Sequence, residues 1–262
     1  MQFQNKLIDK INNLIESKNL PKTIMLEGGF GCGKRTLAQE IANKLDFEFL
    51  DITGNLNLET IENITLSVTP RVYYIDGTKI TVKEQNIILK FLEEPLKTSY
   101  IILACENRNS LLNTVINRCV VFEFETYTKE QLKTFLEDGM NPNVLYYADT
   151  PGRVKQFASH DVDGMATLST KILTQVKDAN YSNILKIPNN INFSDKSELF
   201  DFDTFTYILI FVACELYKRQ QIPFKVFEVT SQFYKDCSIL RINKLHLFEH
   251  YLISLKRVFE GV

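Results

Sequence analysis

Thr23-Ile24-Met25-Leu26-Glu27 runs directly into Gly28-Gly29-Phe30-Gly31-Cys32-Gly33-Lys34-Arg35-Thr36, and that succession decides the fold. A short apolar run predicts a buried strand, and the amphipathic stretch Gly33 to Leu45 predicts a helix. Between them stands the GxxxxGK arrangement in the strand, loop and helix context that a phosphate-binding loop requires. Glycines let backbone N–H groups turn inward around a phosphate, the helix N-terminus adds partial positive charge, and Lys34 supplies a full one. Gly28, Gly31, Gly33, Lys34, Arg35 and Thr36 are therefore the candidate nucleotide-binding residues, with ATP or ADP as the ligand. A glycine-rich turn holding nothing is the other reading of the same residues.

The loop carries a defect. A Ser or Thr normally follows the lysine, because its hydroxyl ligates Mg²⁺ beside the phosphates. Arg35 stands there instead, and a guanidinium repels a cation rather than ligating it. Thr36 comes one place late, about 100° round the helix. Phosphate binding without metal-assisted hydrolysis is the expectation, with no Mg²⁺ in the site.

Working outward, β-branched and aromatic runs alternate with amphipathic stretches at the spacing of repeated βα units. Strands are expected at Thr23 to Glu27, Phe47 to Asp51, Arg71 to Asp76, Tyr100 to Cys105 and Val120 to Phe124. Helices are expected at Asn5 to Ser17, Gly33 to Leu45, Leu58 to Leu66, Thr81 to Glu94 and Ser110 to Ile116, with Pro95 stopping the fourth. That pattern predicts a parallel five-stranded sheet with helices on both faces. From Lys129 onward apolar residues recur at helical spacing (Leu132, Phe135, Leu136; later Leu240, Ile242, Leu245, Phe248, Leu252), predicting an all-helical second half. Ile187 to Ser194 reads as a linker, so boundaries are expected near 127 and 190.

Composition narrows the function classes. At about 150 residues per domain, 262 residues suggest two domains. Thirty Lys and Arg against 32 Asp and Glu give a net charge of -2, so bulk electrostatics draw the chain to neither nucleic acid nor membrane. The most apolar run, Tyr207 to Cys214, is far short of the roughly 20 residues that span a bilayer, and no export signal is visible. Five scattered cysteines without a CxxC pair argue against a disulfide framework and against zinc, and point to a reducing, cytoplasmic setting.

Val72-Tyr73-Tyr74-Ile75-Asp76 resembles the strand whose terminal Asp holds Mg²⁺ and whose next residue, a Glu, positions the attacking water. Gly77 follows here, so the base is missing. Asp76 reads equally as a nucleotide-site carboxylate and as a turn cap. His246 and His250 lack the Glu of a metalloprotease helix and are read as ordinary helix residues. Lys79, Lys83 and Lys90 are read as a solvated face in preference to a DNA contact, and Cys32 has no nearby base to make it a nucleophile.

Two further stretches carry a family resemblance. Lys90-Phe91-Leu92-Glu93-Glu94-Pro95 is similar to the "LEEP" signature of bacterial clamp loader subunits, and Leu111-Leu112-Asn113-Thr114-Val115-Ile116-Asn117-Arg118-Cys119 to their "LLPTIxSRC" segment. With the glycine loop, the likeness covers about residues 20 to 125, and more weakly Pro151-Gly152-Arg153. The resemblance implies an AAA+ module (1-127), a small helical lid (128-190) and a C-terminal helical collar (191-262). It implies one subunit of the DNA polymerase III complex, working with gamma- or tau-like ATPases and delta to load a sliding clamp onto primed DNA. Within the family the chain is most similar to the delta prime chains, whose nucleotide site is degenerate and which are not ATPases. The Arg of the SRC segment reaches a neighbour's γ-phosphate there, which implies an arginine finger at Arg118; an Arg at a helix C-terminus also simply meets the dipole.

Departures are Asn113 and Asn117 within that motif, an Asp76 to Pro95 stretch one residue shorter than in the ATPase subunits, so that Asp76 could align with either acidic position, Glu106 at the polar sensor position, and Gly152 at the lid arginine, with Arg153 adjacent. The relatives' four-cysteine zinc module is absent between Asn43 and Asp51. An active gamma-type ATPase and a nucleotide-sensing AAA+ protein outside replication are the alternatives.

Overall fold

The computed structural model describes residues 3–93, 98–188, 201–237 and 243–261. Five strands, β1 (Thr23–Glu27), β2 (Glu48–Asp51), β3 (Arg71–Asp76), β4 (Tyr100–Cys105) and β5 (Val120–Glu123), form one sheet in the order β2-β3-β4-β1-β5. Every pairing is parallel, with Met25 opposite Leu103 on one side and Val121 on the other. A parallel sheet needs both faces covered, and the side-chain alternation supplies two cores.

Ile24, Leu26, Val72, Tyr74, Ile102 and Ala104 point to one face, covered by α1 (Asn5–Glu16) and α2 (Lys34–Leu45) through Leu7, Ile11, Leu37 and Ile41. Met25, Tyr73, Ile75, Ile101, Leu103 and Cys105 point to the other, under α3 (Leu58–Leu66), α4 (Val82–Glu93) and α5 (Asn113–Ile116). Apolar strands buried on both faces are what the sequence showed as unbroken apolar runs.

The later described residues are helical: α6 (Lys129–Lys133), α7 (Val144–Tyr147), α8 (Pro151–Ala158), α9 (Val162–Gln175), α10 (Tyr181–Ile184), α11 (Phe202–Lys218), α12 (Phe224–Cys237) and α13 (Lys244–Glu260). Polar caps start several of them. Thr128 and Gln131 form a reciprocal capping box on α6, and Asp161, Asp201 and Asn243 cap α9, α11 and α13.

The chain divides into two compact units, Met1–Thr134 with Asp149–Arg153, and Phe135–Ala148 with Val154–Val262. The first takes in α6 and the 149–153 segment, both of which the sequence reading placed in the lid. In the second, α11 packs on α9 and α12, and α12 on α13. Its centre is aromatic: Phe233 stacks on Tyr251 at 4.4 Å, and Phe248 meets Phe205 edge-on at 5.8 Å. Glu94 and Pro95, the boundary at 190 with linker residues 189–194, and Leu240 and Ile242 lie outside the described residues.

Candidate nucleotide site

A cleft of about 790 Å³ opens at the C-terminal ends of β1 and β3, lined by Phe30, Gly31, Gly33, Lys34, Arg35, Thr36, Asp51, Thr53, Asp76 and Glu106 among others. This is where an open parallel sheet places its ligand. Six of the seven sequence-selected nucleotide residues line it; Gly28 stands behind it at the end of β1.

The loop is held by its own carbonyls. Lys34 Nζ donates to Gly28 O at 2.5 Å and Gly29 O at 2.9 Å. Thr150 Oγ1 donates to Phe30 O at 2.6 Å, the Gly152 N–H to Gly31 O at 3.1 Å, and Tyr127 OH to Cys32 O at 3.1 Å. An ammonium has three donors, and the third of Lys34 meets a weak acceptor, Cys32 Sγ at 3.9 Å, which a phosphate oxygen readily replaces. Gly31 and Gly33, having no side chains, face the cleft with backbone alone. Loop and lysine suit a phosphate. Burial pushes the Cys32 thiol up, with Lys34 opposing, so it stays protonated.

The carboxylates are committed elsewhere. The Arg35 guanidinium pairs with Asp51 at the end of β2 and lies 5.4 Å from the ring centres of both Phe49 and Tyr74. Asp51 also accepts from Thr53 Oγ1 at 2.6 Å, and Thr53 Oγ1 in turn receives the Asp76 N–H at 2.8 Å. Burial alone would raise the Asp51 carboxyl, but hydrogen bonds from Thr53 and Arg35 outweigh it and hold it below its ordinary range. Asp76 caps the turn Gly77–Lys79, accepting from Thr78 N and Oγ1 at 3.2 and 2.7 Å, and pairs with Lys79 Nζ at 3.2 Å. The turn-cap reading of Asp76 is thus the geometry adopted. With Arg35 at the hydroxyl position and both aspartates bonded to the chain's own donors, this donor set does not fit Mg²⁺.

Two glycines are fixed by crowding. A Cβ on Gly77 would lie 2.8 Å from Ala104 O, so the fold leaves no room for the missing Glu. A Cβ on Gly152 would lie 2.4 Å from Gly31 Cα, so the loop itself leaves no room for a side chain there. Arg153, next along, places its guanidinium 5.1 Å from the Phe30 ring centre.

Arg118 lies apart from this cleft. It follows α5, with its carbonyl accepting from Thr23 Oγ1 at 2.6 Å. Its Nη1 donates to Thr114 O at 2.6 Å, a contact at the helix end, and Nη2 pairs with Glu93. Nε is buried with no partner among the described residues. Asp51, Thr53, Tyr127, Thr150 and Glu93 were not singled out from the sequence. Glu93 entered only as part of the Lys90–Pro95 stretch, and Thr150 stands beside the Pro151-Gly152 pair, whose residue types signal a turn.

A parallel sheet in this order, with a glycine loop between β1 and α2, defines the class of P-loop AAA+ folds. The structure of a variant of Thermotoga maritima RuvB matches at a TM-score of 0.52 with 19% identity, covering 82% of this chain and 77% of that one. A family model described as DNA polymerase III, delta subunit matches residues 55–128. Curated relatives include the replication factor C small subunit of Methanosphaera stadtmanae, 26% identical over 46% of this chain and 42% of its own length. The DNA polymerase III subunit gamma of Buchnera aphidicola subsp. Schizaphis graminum is 31% identical over 40% of this chain and 32% of its own. The chain spans about half the length or less of these relatives. Over these stretches it is similar to clamp loader AAA+ proteins.

No described helix is long and apolar enough to cross a membrane, and no cluster of three metal-ligating side chains occurs among the described residues.

Proposed function

We propose that the chain is a delta prime-like clamp loader subunit of a DNA polymerase III complex. It holds nucleotide phosphates at the glycine loop without hydrolysing them, and lends Arg118 to a neighbouring ATPase subunit. The observation that carries this reading is that three positions hydrolysis needs are each locked against it. Arg35 is engaged by Asp51, Gly77 abuts Ala104 O, and Gly152 abuts Gly31. The loop and Lys34 nonetheless keep the geometry for an anion, which supports ATP or ADP as a structural ligand.

On this reading the partners are gamma- or tau-like ATPase subunits and delta, with the sliding clamp and primed DNA met through the assembly in the cytoplasm. The residues after 127 serve as lid and collar. A guanidinium at Arg118 suits the task because it stays charged and matches the planar spread of phosphoryl oxygens.

The test is Arg118→Ala in the reconstituted clamp loader. Loss of a neighbour's DNA-stimulated ATP hydrolysis by about 10³-fold, with assembly retained, is the expected result. Normal clamp loading by that complex would overturn the finger.

A further inference from the structure

We infer that Glu93 restrains Arg118 in the free subunit, holding the guanidinium withdrawn until an anion of higher charge on a neighbouring subunit replaces it. The inference rests on the reading of Arg118 as a finger. Glu93 is the last residue of α4, and its Oε1 pairs with Arg118 Nη2. Thr114 O takes Nη1 at 2.6 Å, and Thr23 fixes the Arg118 backbone at the foot of β1. The side chain is thus tethered at two points, and the backbone at a third, while its Nε–H is buried with no acceptor among the described residues.

That orphaned donor marks the conformation as a resting one. A guanidinium commonly grips phosphate through two parallel N–H groups, and here Nε is turned into its own chain. Leaving a buried N–H unpaired is unfavourable, and the Glu93 pair and the Thr114 bond together offset part of that. The pair is itself weak, since Glu93 is 49% and Arg118 32% exposed. A nucleotide polyphosphate outcompetes a single carboxylate, and on release Nε gains the acceptor it lacks. Glu93 therefore sets how readily the subunit commits to a nucleotide-loaded neighbour, and not the rate once committed.

Two measurements separate this from the finger reading. In the full-length chain, the Arg118 Nε–H, assigned by its loss in Arg118→Ala, is expected to exchange slowly with solvent and about ten-fold faster in Glu93→Gln. A fast Nε–H in the unaltered chain overturns the restraint.

In the reconstituted clamp loader, Glu93→Gln is expected to lower the subunit concentration giving half-maximal ATP turnover by about five-fold, leaving the maximal rate unchanged. A fall in maximal rate would make Glu93 a positioning group and overturn the proposal, as would no change while Arg118→Ala abolishes turnover. Release of Nε–H by Glu93→Gln with full turnover in Arg118→Ala would instead uphold the restraint and sink the finger.

Discussion

Gly77 shows how far a single residue resists repair. Replacing it with Glu would supply the carboxylate that positions water, yet its Cβ meets Ala104 O at 2.8 Å. Gly77→Glu is expected to destabilise the chain by about 2 kcal/mol in denaturant unfolding and to give no ATP turnover. Gly152→Arg is expected to cost at least as much, because the obstacle at 2.4 Å is the backbone of Gly31 and cannot rotate away. Unchanged unfolding midpoints would show that these contacts yield. From the sequence Asp76 was ambiguous, since one carboxylate at a strand end serves a metal or a turn equally well. Thr78 and Lys79 decide it through the 3-10 turn that Gly77 permits. The Gly31 to Gly152 contact was not legible, because no periodicity links residues so far apart.

At the scale of elements, β1 delivers Glu27 to the start of the glycine loop, where Arg108 grips it. The Arg108 N–H and Nε donate to Glu27 at 2.8 and 2.6 Å, and Nη2 also pairs with Glu123 at the end of β5. Burial would raise the Glu27 carboxyl, but those bonds and the charge of Arg108 hold it below its ordinary value. A depressed carboxyl contributes stability that is complete above its unfolded pKa and is lost as pH falls through the folded one. Stability is therefore expected to decline below about pH 4, and Arg108→Ala is expected to flatten that decline while costing about 2 kcal/mol at neutral pH. Acid unfolding of the two proteins checks both. The elements themselves were legible: β1, β3, β4 and α3 coincide with the expected spans, because doubly buried strands and a capped amphipathic helix leave strong local patterns. The expected helix at Ser110 shrinks to Asn113–Ile116, since Asn107 caps a separate 3-10 turn over Arg108–Ser110 ahead of it.

Across the whole molecule the two units draw on different chemistry: a sheet carrying a phosphate loop, and a helical array built on aromatic contacts. Phe248 is fully buried among Phe202, Phe205, Phe233 and Tyr251. Phe248→Ala is expected to lose about 3–5 kcal/mol in thermal unfolding while leaving phosphate binding by the first unit intact in the cold. The helical character of the second half was legible from its spacing, but which helices pair was not, since amphipathic faces alone do not name their partners. On the proposed function, this chain keeps a nucleotide loop and has given up hydrolysis. The most direct test is steady-state ATP hydrolysis by the pure chain with Mg²⁺, with and without primed DNA, against Lys34→Ala, alongside equilibrium binding of ATP. The expected result is ATP binding that Lys34→Ala abolishes, and no turnover above that control. Turnover that depends on Lys34 would contradict it and make the chain a motor.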